Sequence, residues 1–234
     1  MKPLALAVLV ALLSGCQTTQ AVATTEVYFV TDTSVGFRLA SESREVGPVG
    51  DLAFMALDNL LSGELQPKDP DYFNLWSGSE LNSLDIVGSE ATIDFNLGKL
   101  NVGAEAEARA IDQLVWTLTE IYPSLTSVKF LVNGAPVESF AGHVDATASF
   151  SRGTDYEVLS PVQITSIQEG QAYDLPLTIS GTACTFEANV AWKLTSNGQS
   201  IASGSVTASS GCPERGDWSV ELPKDLAPGE YIFE

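Results

Sequence analysis

The pattern of apolar residues changes at Arg152, and this change constrains the fold more than any other feature of the chain. Between residues 104 and 121, apolar side chains recur at intervals of three and four, which predicts a long amphipathic helix that Pro123 ends. After Arg152 this helical period is absent, and short runs of β-branched and aromatic residues are separated by turn signals. We therefore predict two domains, with the boundary near residues 153–157.

The first part of the chain is predicted to combine strands with two helices. The helix over residues 104–121 follows an earlier one, which Asp51 can cap and which a Ser-Gly pair ends. An Asn-Gly pair at residues 133–134 indicates a hairpin. Strands are expected at residues 26–31, 37–46, 83–87, 91–97 and 127–132. This mixture predicts an α+β fold, an α/β sandwich in which helices cover one face of a sheet.

The second part is predicted to be an all-β sandwich of the immunoglobulin-like type. Its strand candidates are short, regularly spaced and separated by Gly, Pro and Asn. They occupy residues 162–167, 175–180, 186–195, 200–208, 218–222 and 231–233. Trp192, which is expected to be buried, and a pair of cysteines agree with this assignment.

The N-terminus has the composition of an export signal. Lys2 precedes an apolar run over residues 3–13, about half of the roughly 20 residues that a membrane-spanning helix needs, so residues 1–15 are interpreted as a signal peptide. The run leads into Leu-Ser-Gly-Cys, which resembles the lipobox of bacterial lipoproteins and implies cleavage before Cys16 and lipidation of that cysteine. An ordinary secretory signal with a chance cysteine is the alternative. Residues 16–25 are predicted to be a flexible tether that holds the folded part at the extracytoplasmic face of the cell membrane.

Charge limits the partners. The chain has 30 acidic and 11 basic residues, and its net charge of −19 becomes −20 when Lys2 leaves with the signal peptide. We therefore expect no nucleic acid partner. Anionic lipid would also repel such a surface, so the lipid on Cys16 is the expected membrane contact. The acids are scattered, which indicates a solvated surface; the Asp-Pro-Asp sequence at 69–71 is predicted to be an exposed turn, with a weak calcium contact as the alternative.

The three cysteines can be assigned by role. Cys16 is expected to carry lipid, which leaves Cys184 and Cys212 as an even pair in an oxidising compartment. We predict that these two form a disulfide, which would stabilise the fold by roughly 3 to 4 kcal/mol by constraining the unfolded chain. Two free thiols are the alternative.

Several segments of the first part resemble the GerMN domain, which is named for sporulation and germination proteins. They are 114–120 (Leu-Val-Trp-Thr-Leu-Thr-Glu), 128–134 (Val-Lys-Phe-Leu-Val-Asn-Gly), 140–145 (Phe-Ala-Gly-His-Val-Asp) and Arg152, with 27–30 (Val-Tyr-Phe-Val) and 56–63 (Ala-Leu-Asp-Asn-Leu-Leu-Ser-Gly) in the front half. The resemblance covers residues 26–152. It implies the GerMN α/β sandwich and a role in sporulation or germination.

The second part is similar to the immunoglobulin-like module that often follows GerMN in bacterial lipoproteins and spore germination proteins. Its markers are 180–183 (Ser-Gly-Thr-Ala), 186–190 (Phe-Glu-Ala-Asn-Val) and 216–218 (Gly-Asp-Trp). The module normally continues with further strands after its Pro-Gly-Glu-Tyr segment, whereas this chain ends at Glu234. We therefore expect residues 158–234 to form an incomplete, C-terminally truncated sandwich.

His143, the only histidine, could be taken for a member of a catalytic triad. It could contact Asp145, because residues two apart point to the same side of an extended segment. However, no nucleophile-elbow pattern accompanies the pair, and the resemblance explains Gly-His-x-Asp as a structural marker, with a ligand contact as the alternative. We predict no catalytic residue. Because one histidine is too few for zinc and the chain has neither an EF-hand spacing nor a phosphate-binding loop, we also expect no metal and no cofactor.

Two further positions have two interpretations each. In the run 186–192, alternation places Phe186 and Trp192 on one face and Glu187 on the other, which is either a solvated sheet face or a polar binding face for glycan or protein. Trp76, with other aromatics in a Pro- and Ser-rich loop over residues 66–83, looks exposed and either packs on the first domain or contacts sugar or protein.

Together these features predict a lipid-anchored, extracytoplasmic, non-enzymatic binding or scaffold protein of the cell envelope. The resemblance adds a relation to sporulation or germination. An envelope protein or peptidoglycan is the expected kind of partner. The alternatives are a peptidoglycan hydrolase, which would need a triad or metal constellation, and a solute-binding lipoprotein, which would usually need two larger lobes around a cleft.

Overall fold

The computed structural model describes residues 22–48 and 52–234. The predicted signal peptide, Cys16 and the expected helix cap Asp51 lie outside the described residues. Two main hydrophobic cores are present, one built by residues between Val27 and Ala146 and the other by residues between Ile179 and Leu222. In the described ranges, no helix is both long enough and apolar enough to cross a membrane.

A long hairpin opens the N-terminal domain. Strand β1 (Val22–Thr33) pairs antiparallel with β2 (Gly36–Pro48), and β3 (Tyr72–Phe73) pairs with the other edge of β1. β1 starts four residues earlier than the sequence predicts, within the segment expected to be a tether. The reason is tertiary: β2 continues far enough to supply partners for this segment, and Thr25 pairs with Arg44.

A second sheet completes the N-terminal domain. Its strands, in the order β4-β5-β6-β7, are β4 (Glu80–Val87), β5 (Glu90–Asn96), β6 (Ser127–Val132) and β7 (Ala135–Pro136). β5 and β6 run parallel, and the chain between them forms a helix, whereas the other pairs are antiparallel. The predicted hairpin is present, with positive φ at both Asn133 (53°) and Gly134 (77°), as a primed turn requires. The α+β class is confirmed, but with two sheets where the sequence suggested one.

The helices are α1 (Leu52–Ser62) and α2 (Ala104–Ile121). α2 is buried on two sides, because Leu114 faces the main core while Trp116 packs into a smaller cluster with Leu39 and Leu159. The predicted apolar face is confirmed at Ile111, Leu114, Val115 and Leu118, but it is wrong at its first position, Ala104. Ala104 is exposed, and the buried positions there are Ala106, Glu107 and Ala110.

The C-terminal domain is a sandwich of two three-stranded sheets, which confirms the immunoglobulin-like all-β prediction. After a short helix α3 (Asp155–Val158), its strands are β8 (Val162–Ile164), β9 (Thr178–Ala183), β10 (Asn189–Ser196), β11 (Gln199–Thr207), β12 (Gly216–Glu221) and β13 (Ile232–Phe233). The sheet orders are β12-β9-β8 and β11-β10-β13. Trp218 is buried in the core, whereas Trp192, which was expected there, is only partly covered and packs against the edge of the core.

Backbone and side-chain hydrogen bonds connect the two domains. Leu39 of β2 forms an isolated parallel bridge with Leu159, and the Ser160 N–H donates to the Leu39 carbonyl at 2.7 Å. The Gln163 amide donates to the Ser41 carbonyl at 2.6 Å. The Arg215 guanidinium donates to the Ser160 carbonyl at 2.6 Å. The linker thus pairs with the edge of β2 before it enters the second domain.

Candidate functional site

Five donors converge on the carboxylate of Glu107, in the first turn of α2. Oε1 accepts hydrogen bonds from the Ser139 hydroxyl (2.8 Å) and the N–H groups of Phe140 (2.9 Å) and Ala141 (2.8 Å). Oε2 accepts from the N–H groups of His143 (2.8 Å) and Val144 (3.1 Å). The segment 139–144, defined here as the Glu107 loop, therefore wraps around a single side chain.

The Glu107 carboxylate keeps its charge although the residue is 0% exposed. Burial alone would raise its pKa, but the hydrogen bonds from Ala141, Ser139, His143 and Phe140 together outweigh this, and the pKa lies below its usual range. The N-terminal end of α2 also favours an anion at this position. A sign of this role is present in the sequence. Glu107 lies four residues before Ile111, on the apolar side of the helix, where a charged residue requires partners.

His143 and Asp145 have separate positions in this arrangement. His143 binds Glu107 through its backbone, and its side chain is exposed. The Asp145 carboxylate accepts from the backbone N–H (2.9 Å) and the hydroxyl (2.6 Å) of Thr147, and these bonds lower its pKa. No hydrogen bond between the His143 and Asp145 side chains is found in the described part of the chain. Gly142, at φ 94°, allows the backbone to turn between the donors.

A second polar cluster fixes Arg152 against the N-terminal domain. Its guanidinium lies 3.8 Å from the ring centre of Trp116 and 5.5 Å from that of Tyr28. It donates to the Trp116 carbonyl, the Thr119 hydroxyl, the Tyr28 hydroxyl and Glu120. Burial raises the pKa of the Tyr28 phenol well above its usual range. Arg152 thus secures the end of the first domain just before the linker.

A polar cavity of about 350 Å³ lies between the two domains. Its lining combines carboxylates, amides and hydroxyls with one cation: Glu26, Ser41, Glu42, Ser43, Lys68, Asp69, Tyr72, Gln163, Ile164, Thr165, Ile167, Gln168, Glu169 and Thr182. Carboxylate oxygens of Asp69, Asp71 and Glu169 lie within 4.8 Å of one another. Partial burial raises the pKa of Asp69, and the nearby charges of Asp71 and Glu42 raise it further, against a hydrogen bond from the Asp71 backbone. The cavity is therefore a region of concentrated negative charge.

Trp76 is not an exposed contact residue, contrary to the appearance of its loop. It is 1% exposed, and its indole N–H donates to the Ala110 carbonyl at 2.6 Å. Its ring packs edge-on against Phe95 and Phe140. A Pro- and Ser-rich loop can hide an aromatic residue in this way when a helix carbonyl satisfies the indole.

The structure forms the predicted disulfide between Cys184 and Cys212. Glu187 is exposed, as expected, but the strand assignment around it is wrong. Residues Phe186–Ala188 form a tight turn in which Glu187 and Ala188 have positive φ, and β10 begins only at Asn189. The alternation expected to start at Phe186 is therefore broken before the strand begins.

Comparison with known proteins gives two domain assignments. Residues 26–138 match a family described as "Sporulation and spore germination" (Germane). Residues 161–234 match a family described as "Immunoglobulin-like domain of bacterial spore germination" (Gmad2). No curated protein matches the chain.

Solved structures with similarity to the chain include three of low sequence identity. The first GerMN domain of the Bacillus subtilis sporulation protein GerM is 21% identical, with 56% of this chain and 98% of that one covered and a TM-score of 0.44. The tandem GerMN domains of the same protein are 20% identical, with 79% of this chain and 60% of that one covered and a TM-score of 0.44. A putative lipoprotein from Clostridium perfringens is 22% identical, with 56% of this chain and 88% of that one covered and a TM-score of 0.36.

Proposed function

We propose that this chain, which joins a Germane domain to the immunoglobulin-like domain of bacterial spore germination, is a lipid-anchored, extracytoplasmic binding or scaffold protein of the cell envelope. Its relation to sporulation and germination comes from both domain families. Its partner would be an envelope protein or peptidoglycan. The proposal adds the anchor, the location and the binding role.

The observation that carries the binding role is the engagement of the Glu107 loop. Together with Asp145, which directly follows it, this segment forms the Gly-His-x-Asp sequence, the place where the chain most resembles a catalytic site. The backbone donors of the loop point inward to Glu107, and the Asp145 carboxylate accepts a hydrogen bond from Thr147. The segment thus has a complete structural explanation, which favours presentation of a surface over chemistry.

The connection between the domains supports a scaffold role. Bonds from Ser160, Gln163 and Arg215 tie the linker to both β2 and the second domain. A linker held by backbone pairing keeps two surfaces at a fixed separation, which is what a scaffold requires. The disulfide between Cys184 and Cys212 supports an oxidising, extracytoplasmic location.

The anchor is tested by replacing the cysteine expected to carry lipid. Cys16→Ala should abolish lipidation and the lipoprotein cleavage that depends on it, and so leave either uncleaved precursor or soluble protein. Fractionation of cells followed by immunoblotting and intact-mass measurement of the product checks this, with Ser14→Ala as a control that leaves the cysteine in place. A processed Cys16→Ala protein that stays in the membrane fraction would refute the anchor.

The competing peptidoglycan hydrolase function is tested at His143. The purified chain is expected to release no soluble fragments from peptidoglycan, whether or not it binds this polymer. Any binding should be unchanged in His143→Gln. If the wild type degrades peptidoglycan and a folded His143→Gln variant loses roughly 100-fold or more of that rate, as removal of a general base would cause, the chain is a hydrolase.

A further inference from the structure

Phe186 is 85% exposed at the turn between β9 and β10. A strand that started at this residue would place it on the same face as Ala188 and Val190, which are buried in the second core. The turn over residues 186–188 breaks that alternation and leaves the ring exposed to solvent. The fold therefore exposes an aromatic side chain that the sequence pattern alone would bury.

The backbone that presents Phe186 is strained. Glu187 and Ala188 both have positive φ, 53° and 56°, in the left-handed region that residues with a Cβ avoid at a cost of roughly 1–2 kcal/mol each. The Thr185 hydroxyl is buried, and no residue of the described chain hydrogen-bonds to it. Strain of this kind persists only where the surrounding structure enforces it, and it is frequent at functional sites.

Several bonds enforce this conformation. The disulfide of Cys184 connects the turn to Cys212, whose N–H donates to the Thr185 carbonyl at 3.2 Å. The Ala188 N–H donates to the same carbonyl at 3.2 Å, and the Ala188 carbonyl accepts from Ala208 at 2.8 Å. The backbone that carries Phe186 is thus held by hydrogen bonds and a disulfide, so little backbone entropy would be lost on binding.

Two exposed acidic residues lie on the segments that form this turn. Glu187 directly follows Phe186, and Cys212, which is bonded to the turn, is followed by Pro213 and Glu214, both exposed. We call Phe186, Glu187, Pro213 and Glu214 the Phe186 tip. It combines an apolar centre with two carboxylates on a chain whose net charge is −19.

We infer that the Phe186 tip is a docking site for a partner protein that offers an apolar pocket bordered by lysine or arginine. An aromatic side chain on a backbone held in place can anchor a protein interface, and complementary charge around it adds specificity. The carboxylates disfavour insertion into a bilayer, because anionic headgroups would repel them. The inference rests on the proposed binding role and assigns it a surface, and it does not require the lipid on Cys16.

The experiment uses the full chain and a library of displayed random peptides. Peptides selected on the wild type are synthesised, and their affinities are measured by fluorescence anisotropy. We expect them to combine apolar with Lys or Arg residues, to bind Phe186→Ser at least about tenfold more weakly, and to bind Glu187→Lys more weakly at low salt. The matched control is Val87→Ser, which alters another apolar side chain, 79% exposed, in the first domain.

The outcomes are separable from those for the anchor. Because Phe186 is exposed, its replacement should leave the thermal midpoint unchanged, and Glu187→Lys gives a second variant if it does not. Peptides that bind Phe186→Ser and Glu187→Lys as well as the wild type would overturn the inference. The inference would also be overturned if the selection yields no peptide and the chain instead binds vesicles of phosphatidylcholine and phosphatidylglycerol through Phe186. Membrane release of Cys16→Ala tests only the anchor.

Discussion

At the scale of single residues, Glu107 determines where a whole loop lies. A carboxylate without contact with water would cost several kcal/mol if it had no partners, and it would then be protonated instead. Here hydrogen bonds from the backbone of the Glu107 loop replace the lost hydration. The same bonds hold Phe140 in the aromatic group around Phe95 and Phe130. One side chain thus connects the start of α2, the loop and the core.

Glu107→Gln is expected to lower the free energy of unfolding by about 3 kcal/mol. The amide keeps one acceptor but turns an NH₂ group toward backbone N–H donors that then lack a partner, and each such buried donor costs about 1–3 kcal/mol. Urea unfolding at neutral pH measures the loss. Glu64→Gln, which removes the same charge from an exposed position, is the control. A loss no larger than that of the control would show that the loop does not need the carboxylate.

The lowered pKa of Glu107 also fixes the sign of a pH effect. In the unfolded chain the carboxyl takes up a proton near its ordinary pKa of about 4.3, whereas the folded protein keeps it ionised to lower pH. Its contribution is therefore complete above the unfolded pKa and is lost as the pH falls through the folded pKa. The difference in unfolding free energy between wild type and Glu107→Gln should stay constant down to about pH 5.5 and shrink below it. A difference that grows on acidification would contradict this assignment.

At the scale of elements, helices and strands could be predicted where their own residues show the hydrophobic period. α2 has the predicted bounds, because its apolar spacing and Pro123 are local signals. Three features depended on contacts between distant segments and could not be predicted. These are the early start of β1, the turn over residues 186–188 and the buried positions at the start of α2. The last arises because α2 lies between two clusters, and a single stripe cannot describe a helix covered on two sides.

The observed face of α2 can be tested with two substitutions of the same kind. Ala110→Leu should lower the free energy of unfolding by about 2 kcal/mol. Ala110 is fully buried and its carbonyl accepts a hydrogen bond from the Trp76 indole, so a larger side chain must displace core residues. Ala104→Leu, at the exposed start of the helix, should change stability by less than about 0.5 kcal/mol. Thermal or urea unfolding decides. Equal costs for the two variants would favour the face predicted from the sequence over the one observed.

At the scale of the whole molecule, the junction combines ordered bonds with like charges. Gln163 bonds across it to Ser41 and Arg215 bonds to the linker at Ser160, yet Asp69 and Asp71 of one domain face Glu169 of the other. The raised pKa of Asp69 means that the folded protein holds this proton more tightly than the unfolded chain does. The stabilising effect of that proton is present at low pH and is lost as the pH rises, so at neutral pH the ionised group weakens the fold.

Asp69→Asn should accordingly raise the free energy of unfolding at neutral pH by about 0.5 kcal/mol, a small value because the cluster is partly solvated. The asparagine oxygen can still accept the bond from the Asp71 N–H. The gain should fall as sodium chloride is added, since salt screens the repulsion. Unfolding in urea at two salt concentrations measures it. Destabilisation by Asp69→Asn, or a gain independent of salt, would show that repulsion from the neighbouring carboxylates does not weaken the fold here.

The early start of β1 determines how far the protein could stand from a membrane. Val22 follows Cys16 by only six residues, and six residue steps span at most about 20 Å even when fully extended. With acyl chains on Cys16, the open end of the hairpin would remain within that height of the lipid headgroups. Glu26, in the lining of the cavity, lies only four residues further along the strand. Under the proposed anchor, the first strand of the protein would therefore begin close to the membrane surface.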